Sequence, residues 1–272
     1  MASGEGAAKL FIYSIVGFFV GLWFFYKGFK KLKLKRTIEN MPTSNIRSLA
    51  IGLVEIYAAV LPYQELLKSK ITNFGQTISK EILKSPFSQK ECLYYKYTVE
   101  RYVRSRKSSY WVMVTQGTAG KYMLVKDKTG TVLVDIEKAE LDIPMDTEYS
   151  SSLGKDPPVV VLNFLKANKI SYEGWLGGNH TMRYREYYIF PSDKLYILGT
   201  AGKNPFIKEG TAAFNEEGIM IQKGNNPTYY ISDKDEKAVL SSIGWSVFGG
   251  VIGGAVLALA CLTYLLFFIG LF

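Results

Sequence analysis

Residues 10–36 read LFIYSIVGFFVGLWFFYKGFKKLKLKR. The first 17, Leu10–Tyr26, carry no charge, which is the lower limit of length for a helix that crosses a bilayer. A lysine at the hydrocarbon boundary can extend its stem and keep its ammonium in water, so Lys27 lets the span continue through Phe29. The next ten residues hold six cations, Lys27, Lys30, Lys31, Lys33, Lys35 and Arg36, and no anion. A cleaved signal peptide is the competing reading of such a stretch. It requires a small-residue cleavage site, and here a dense lysine cluster follows instead, so a retained signal anchor is expected.

Far down the chain, Ala238–Phe272 contains no charged residue over 35 positions. One crossing needs about 20 apolar residues, so a second span is expected over 243–270. The predicted organisation is a short tail (1–9), a transmembrane helix (10–29), a basic juxtamembrane segment (30–42), a folded domain (43–237) and the second transmembrane helix. Short Lys/Arg-rich flanks stay on the cytoplasmic side. The six cations therefore predict a double-pass protein of the cell membrane with an outer N-terminus, a cytoplasmic middle domain and essentially no outer domain after the second span. The same cations are candidates for contact with anionic lipid, at about 1 kcal/mol each near a charged surface.

The formal net charge of the 272-residue chain is +9, from 33 Lys and Arg against 24 Asp and Glu. Lys9 and Glu5 cancel, the cluster holds six, and Thr37 onward carries 26 cations and 23 anions. The folded domain is thus nearly neutral, which argues against a nucleic-acid partner, since that reading expects a basic patch on the domain itself. Two cysteines, Cys92 and Cys261, and one histidine, His180, exclude a disulfide framework and leave too few ligands for a Cys/His zinc site. Neither span has an ionisable carboxylate, amine or imidazole in its core, so an ion or proton pathway is not expected.

The spans do carry small residues at four-residue spacing: Gly17 and Gly21 in the first, and Ser246, Gly250, Gly254 and Ala258 in the second, with Gly249 and Gly253 beside them. Such rows let backbones approach closely. Packing between the two spans and self-association of copies both remain open, and glycine is also common in membrane helices without either role.

Between the spans the pattern is mostly of strands. Ile46–Val60 is a largely apolar run. Leu93, Tyr95, Tyr97, Val99 and Val103 alternate with polar residues, broken at Arg101, as in a half-buried strand. Tyr110–Thr115 and Tyr122–Lys126 flank a glycine-containing turn, and Asp127-Lys128-Thr129-Gly130 leads into Thr131–Ile136 as a hairpin. Tyr184–Ile189, Leu195–Leu198 and Gly218–Gln222 continue the series. Helices are expected at Pro157–Asn168, capped by Asp156, in Pro62–Lys84, and at Asp233–Leu240 as a lead into the second span. The fold class that follows is a membrane protein with two transmembrane helices bracketing a β-rich, α+β domain of antiparallel hairpins, with barrel-like closure as one arrangement. The string GTAGK occurs twice, at Gly117–Lys121 and Gly199–Lys203; duplication of a hairpin unit and chance both explain it. Neither copy has the glycine spacing of a phosphate-binding loop.

No nucleophile elbow, metalloprotease helix or dinucleotide fingerprint occurs, so no catalytic, cofactor-binding or metal-binding residues are assigned and no cofactor is expected. His180 falls in a glycine-rich turn and reads as a loop histidine. Asn179-His180-Thr181 is a glycosylation sequon that a cytoplasmic location would silence. Cys92 has no identifiable base beside it and reads as a structural thiol. Tyr95, Tyr97 and Tyr102 interleave with Arg101, Arg104, Arg106 and Lys107, a mix that single-stranded nucleic-acid binders use. Tyr95 and Tyr97 fall on the apolar face, however, so a core strand with a solvated cationic edge is expected.

Several segments together resemble the GIDE domain, also called the BAM or beside-a-membrane domain. They are PTSNIRSLAIGLVEI (Pro42–Ile56), SPFSQKECLYYKYTVERY (Ser85–Tyr102), VKDKTGTVLVD (Val125–Asp135), RYREYYIFPSDKLYILGTAGKNP (Arg183–Pro205) and YYISDKDEK (Tyr229–Lys237). The resemblance covers nearly the whole region between the spans, includes the flanking spans, and is greatest to archaeal members. Eukaryotic members of that family are membrane-anchored ubiquitin/SUMO ligases whose RING domain uses about eight Cys and His zinc ligands. Cys92, His180 and Cys261 cannot supply them, so ligase activity does not carry over. The resemblance implies a membrane-held module that binds or senses a protein partner. Its alternatives are a membrane subunit of a ubiquitin-like ligase system with a separate catalytic chain, and a structural organiser that acts as a homo-oligomer. The lipid bilayer is the other expected partner.

Overall fold

The computed structural model of the chain describes residues 2–61, 83–174, 177–206, 218–225 and 228–270. Two compact units emerge, Met1–Pro42 with Asp235–Phe272, and Thr43–Lys234.

The first unit is an antiparallel pair of apolar helices. Helix α1 spans Ala2–Glu39 without interruption. The tail expected at 1–9 and the separate basic segment expected at 30–42 are therefore largely parts of one helix, because nothing between Ala2 and Glu39 breaks the backbone ladder. The carboxyl-terminal helix begins as α2 (Glu236–Phe248), capped by the Asp235 side chain accepting from the Ala238 N–H, 2.8 Å away. It passes through a π-helical turn at Gly249–Gly253 and continues as α3 (Gly254–Ile269). Both helices are long and apolar enough to cross a membrane.

The second unit is built on two sheets. Strands β1 (Gly52–Val60), β6 (Tyr122–Lys126), β7 (Thr131–Asp135), β12 (Ile219–Gln222) and β11 (Lys194–Lys203) close into a five-stranded barrel, because β11 pairs back onto β1 from Gly52↔Ala201 to Ala59↔Lys194. Strands β13 (Tyr230–Ser232) and β8 (Glu140–Asp142) extend this sheet beside β11. Alternate residues fill the barrel: Val54, Ile56, Ala58 and Val60 from β1 meet Met123, Val125, Val132 and Val134, the period-2 rule of a strand. The outward residues Leu124 and Leu133 are buried as well, with Leu61 and Met220. Burial on both faces explains the unbroken apolar runs YMLV and TVLV. Not every pairing is antiparallel: β7–β12 and β8–β13 run parallel.

The other sheet has the order β5 (Ser109–Ala119), β4 (Tyr94–Arg104), β10 (Met182–Ile189) and β9 (Thr147–Ser151). One face packs under helix α4, which spans Val159–Ala167 in sequence between β9 and β10, through Val161, Leu165, Phe87, Val99 and Tyr184. Pro158, not Asp156, stands at its N-cap position, and no side chain caps the helix. Asp156 accepts instead from the Asn179 amide at 2.6 Å, so the carboxylate ties the sequon loop rather than the helix end. The β4–β5 pairing carries one irregularity, and it lies in β5. Val99 faces Thr115 but Glu100 faces Met113, so Val114 is an extra residue that bulges β5 and resets the facing of side chains. The two-stranded ribbon β2 (Leu83–Lys84) and β3 (Glu91–Cys92) completes the unit. The rest of the helix expected over Pro62–Lys84 lies outside the described residues.

The two GTAGK copies are structurally unlike. The first leaves its strand at Gly120, whose φ of 98° turns the chain from one sheet to the other, where any side chain would strike the Leu93 carbonyl oxygen. The second is straight strand throughout, the last half of β11.

Candidate functional site

The basic cluster lies on the last turns of α1. Lys27, Lys30, Lys33 and Arg36 are exposed at three-residue steps, while Lys31 and Lys35 are half-buried. The Lys27 ammonium sits 3.7 Å from the centre of the Trp23 ring, one turn back toward the apolar stretch, and Lys35 pairs with Glu39 at 3.5 Å. Phe29, Leu32, Lys33, Arg36, Thr37, Asn40 and Met41 line an open recess of about 500 Å³. Arg36, in the last turn, complements the helix dipole, and the exposed row of cations can meet anionic headgroups.

The small residues divide into two rows with different surroundings. A Cβ at Gly21 would stand 2.7 Å from the Ala258 nitrogen, one at Gly28 2.5 Å from the Val251 nitrogen, and one at Gly254 2.6 Å from the Phe25 nitrogen. Gly17 faces the Cys261 sulfur in the same way, and Gly250 faces Gly28. Gly17, Gly21, Gly28, Gly250, Gly254 and Ala258 thus form the seam between the helices. Phe11 packs against Phe268 at its far end, with ring centres 4.8 Å apart and the planes tilted by 33°. Gly249 and Gly253 have nothing within 4 Å of a Cβ, and Ser246 is exposed and donates to the Ser242 carbonyl within its own helix. Gly28 joins the seam although sequence reasoning placed it at the edge of the span; its seven-residue step from Gly21, two helical turns, is the signal that marks it.

In the second unit the barrel has a notch. β1 and β6 pair only at Ala59↔Lys126 and Val60↔Val125, and Thr43 bridges β1 at Glu55. Between these points lies a groove of about 660 Å³ beside Tyr57, with the exposed Lys126, Lys128 and Lys194 on its walls. The one carboxylate on its lining, Asp127, is engaged internally. One oxygen accepts from the Thr129 and Gly130 N–H groups and the other from the Ile46 N–H. Partial burial acts to raise its pKa, but these hydrogen bonds together hold the carboxyl below its usual range.

Two carboxylates that sequence reasoning passed over are fully buried. Glu186 accepts from the N–H groups of Phe87 and Ser88, at 2.6 and 3.0 Å, and from the Tyr188 hydroxyl. Glu55 accepts from Thr43 and Tyr196 hydroxyls at 3.0 and 2.8 Å. The parity of Met182, Tyr184 and Glu186 places Glu186 on the core side of β10, a signal present in the sequence. The burial of Glu55 has no such signal, because its neighbours Val54 and Ile56 point the other way.

Cys92 is buried, and burial first, then the nearby Glu186 charge, push its thiol up to about 12. A thiolate is the reactive form. At pH 8 a maleimide should therefore modify Cys92 in the folded chain at least ~100-fold more slowly than in the denatured chain. Equal rates, read by mass spectrometry of the Cys92 peptide, would contradict the burial. His180 lies half-buried in its loop, its N–H donating to the Tyr172 carbonyl. Among the described residues, no group of three or more His, Cys, Asp or Glu side chains is placed to hold a metal ion.

The β4–β5 hairpin projects from the second sheet. Tyr97 packs into the core below α4 and Tyr94 into the barrel, while Arg104, Arg106 and Lys107 are exposed at the tip. Tyr110, Val112, Met113 and Val114 on β5 are also exposed. On the outer face Arg183 stacks over Trp111, 4.1 Å from the ring centre, and pairs with Glu100 at 2.5 Å. Arg185 pairs with Glu148 at 2.5 Å.

Comparisons with protein-family models, with curated proteins and with solved structures gave no match.

Proposed function

We propose that this chain is a membrane-held binding module, with its β domain on the cytoplasmic face and a protein as its partner. The observation that carries the reading is the bracketing of a two-sheet domain by two apolar helices at its ends. A domain tethered at both ends stays at one membrane surface, and any partner that reaches that surface meets it at high effective concentration. The six cations on α1 favour the cytoplasmic side, and the resemblance to the GIDE domain agrees with a module of this kind. The open row of Gly249 and Gly253 favours a second reading, self-association of copies through that face.

Topology and partner are tested in the native host. A Ser109→Cys variant should react with a membrane-impermeant maleimide only after the cells are permeabilised; labelling of intact cells would invert the orientation. A photo-crosslinking residue at Lys194, in the lysine-walled groove, should give a discrete adduct with a second protein. Adducts with the chain itself alone would replace the binding module by self-association.

A further inference from the structure

The open edge of β5 has unusual chemistry for an edge strand. Residues 101–126 contain Arg101, Arg104, Arg106, Lys107, Lys121 and Lys126 and no acid. Ser109–Ala119 itself carries neither charge nor proline, two of the devices by which proteins guard an edge, and a third, the bulge at Val114, falls beyond Met113 and leaves Ser109–Met113 regular. Among the described residues β5 pairs only with β4. The hydrogen-bond phase tells which groups face outward. Ser105 N–H donates to the Ser108 carbonyl across the hairpin, and Tyr102 N–H donates away from it, to Thr181. Peptide groups alternate in direction along an antiparallel pair. With Arg104 opposite Ser109 and Tyr102 opposite Trp111, the N–H and C=O groups of Ser109, Trp111 and Met113 point from the sheet to the open side. Trp111 packs against Tyr102, with ring centres 5.1 Å apart, and under Arg183, so its side chain lies on the sheet face and leaves the edge clear.

We infer that the Ser109–Met113 edge of β5 takes up an extended segment of a partner protein as an added strand, and that the segment carries acidic residues beside Arg104, Arg106 and Lys107. This rests on the binding-module reading and names the chemistry of the partner. Strand addition supplies main-chain hydrogen bonds, and side-chain pockets or charges supply the selectivity. A second copy of this chain is a poorer occupant. In antiparallel pairing its β5 would bring Ala119, Gly120 and Lys121 beside the cationic tip, with no acid to meet it.

The full chain in nanodiscs of phosphatidylcholine, which removes anionic lipid as a competitor, provides the test. Three fluorescein-labelled peptides are the probes: alternating valine and threonine preceded by three glutamates, the same with three lysines, and the glutamate peptide N-methylated at alternate residues. The glutamate peptide should bind at least ~10-fold more tightly than either control, with an affinity that falls as salt rises. Met113→Pro, which removes an outward N–H while leaving the ladder to β4, should weaken it by about tenfold. The triple change Arg104→Glu, Arg106→Glu and Lys107→Glu, all at exposed positions, should transfer the preference to the lysine peptide. Equal binding of all three peptides, or indifference to both variants, overturns the proposal. So does a dimer that Met113→Pro dissociates in the absence of any peptide binding, which assigns the edge to a second copy. If no peptide binds while the Lys194 crosslinker still captures a partner, the edge proposal fails and the binding module stands.

Discussion

Gly254→Leu should pull the two apolar helices apart. A Cβ at this position would lie 2.6 Å from the Phe25 nitrogen and 2.8 Å from the Gly21 carbonyl oxygen. Both are backbone atoms, so no side chain can swing aside and the helices themselves must separate. Overpacking typically costs 1–3 kcal/mol, and about 2 kcal/mol at this seam is a lower expectation, because separation also removes the contacts of Gly21, Gly28 and Gly250. The readout is a disulfide between Phe11→Cys and Phe268→Cys, whose native rings are in contact at the far end. Its yield in membranes should fall by at least about tenfold in the Gly254→Leu background, since 1.4 kcal/mol is a factor of ten. Gly253→Leu is the matched control, one residue away with open space around it. It should leave the disulfide unchanged and alter only the association of copies, if copies associate through that face. Equal loss of the disulfide in both variants would mean that the seam is not where the glycines meet.

Glu186→Ala should strongly destabilise the β domain although it removes no large apolar side chain. The carboxylate takes two backbone N–H groups and one hydroxyl; its removal takes the acceptor from the Phe87 and Ser88 N–H groups, while the Tyr188 hydroxyl keeps Ser88 and Thr147 as partners. An unsatisfied buried donor costs about 1–3 kcal/mol, and breaking a buried charged cluster about 3–5. The expected loss is about 3 kcal/mol in chemical unfolding, with faster hydrogen exchange at Phe87 and Ser88. Glu148→Ala, which breaks a partly exposed pair with Arg185, should cost less than about 1 kcal/mol; similar losses in the two variants would remove the special place of Glu186. The same cluster sets an alkaline limit. Burial, and then the Glu186 carboxylate to which it donates, push the Tyr188 phenol from its ordinary 10 up to about 12. The folded state thus favours the neutral phenol. Its contribution is fully present below pH 10 and is lost as pH climbs toward 12. Burial raises Tyr229 and Tyr230 in the same direction. Stability should therefore decline across that window, and less steeply in Tyr188→Phe.

Much of the architecture was legible because it rests on local periodicity. Seventeen uncharged residues before a lysine cluster announce a helix that lipid can solvate, and the alternation in Tyr95–Val99 announces a strand with one face in a core. The hairpin at Asp127–Gly130 was legible too, since an aspartate two and three residues before free N–H groups makes its own turn. The candidate binding features were less so. An edge is defined by a strand that fails to arrive, and the sequence of β5 reads the same whether or not a neighbour covers it. The three groove lysines come from two segments, around residues 126 and 194, and only the pairing of β1 with both β6 and β11 brings them together.

From the sequence alone came two apolar segments, a cationic flank on the first, a β-rich domain between them and the small-residue rows on both spans. These depend on the composition and spacing of near neighbours, where each side chain's preference for water or hydrocarbon decides the outcome independently. Tertiary structure alone decided that β11 closes onto β1, that Glu55 is buried, and that Gly250 and Gly254 meet Gly28 and Gly21 while Gly249 and Gly253 face outward. Neighbouring glycines have the same chemistry. Their difference is a matter of which face of one helix a second helix, more than two hundred residues away in the chain, comes to occupy.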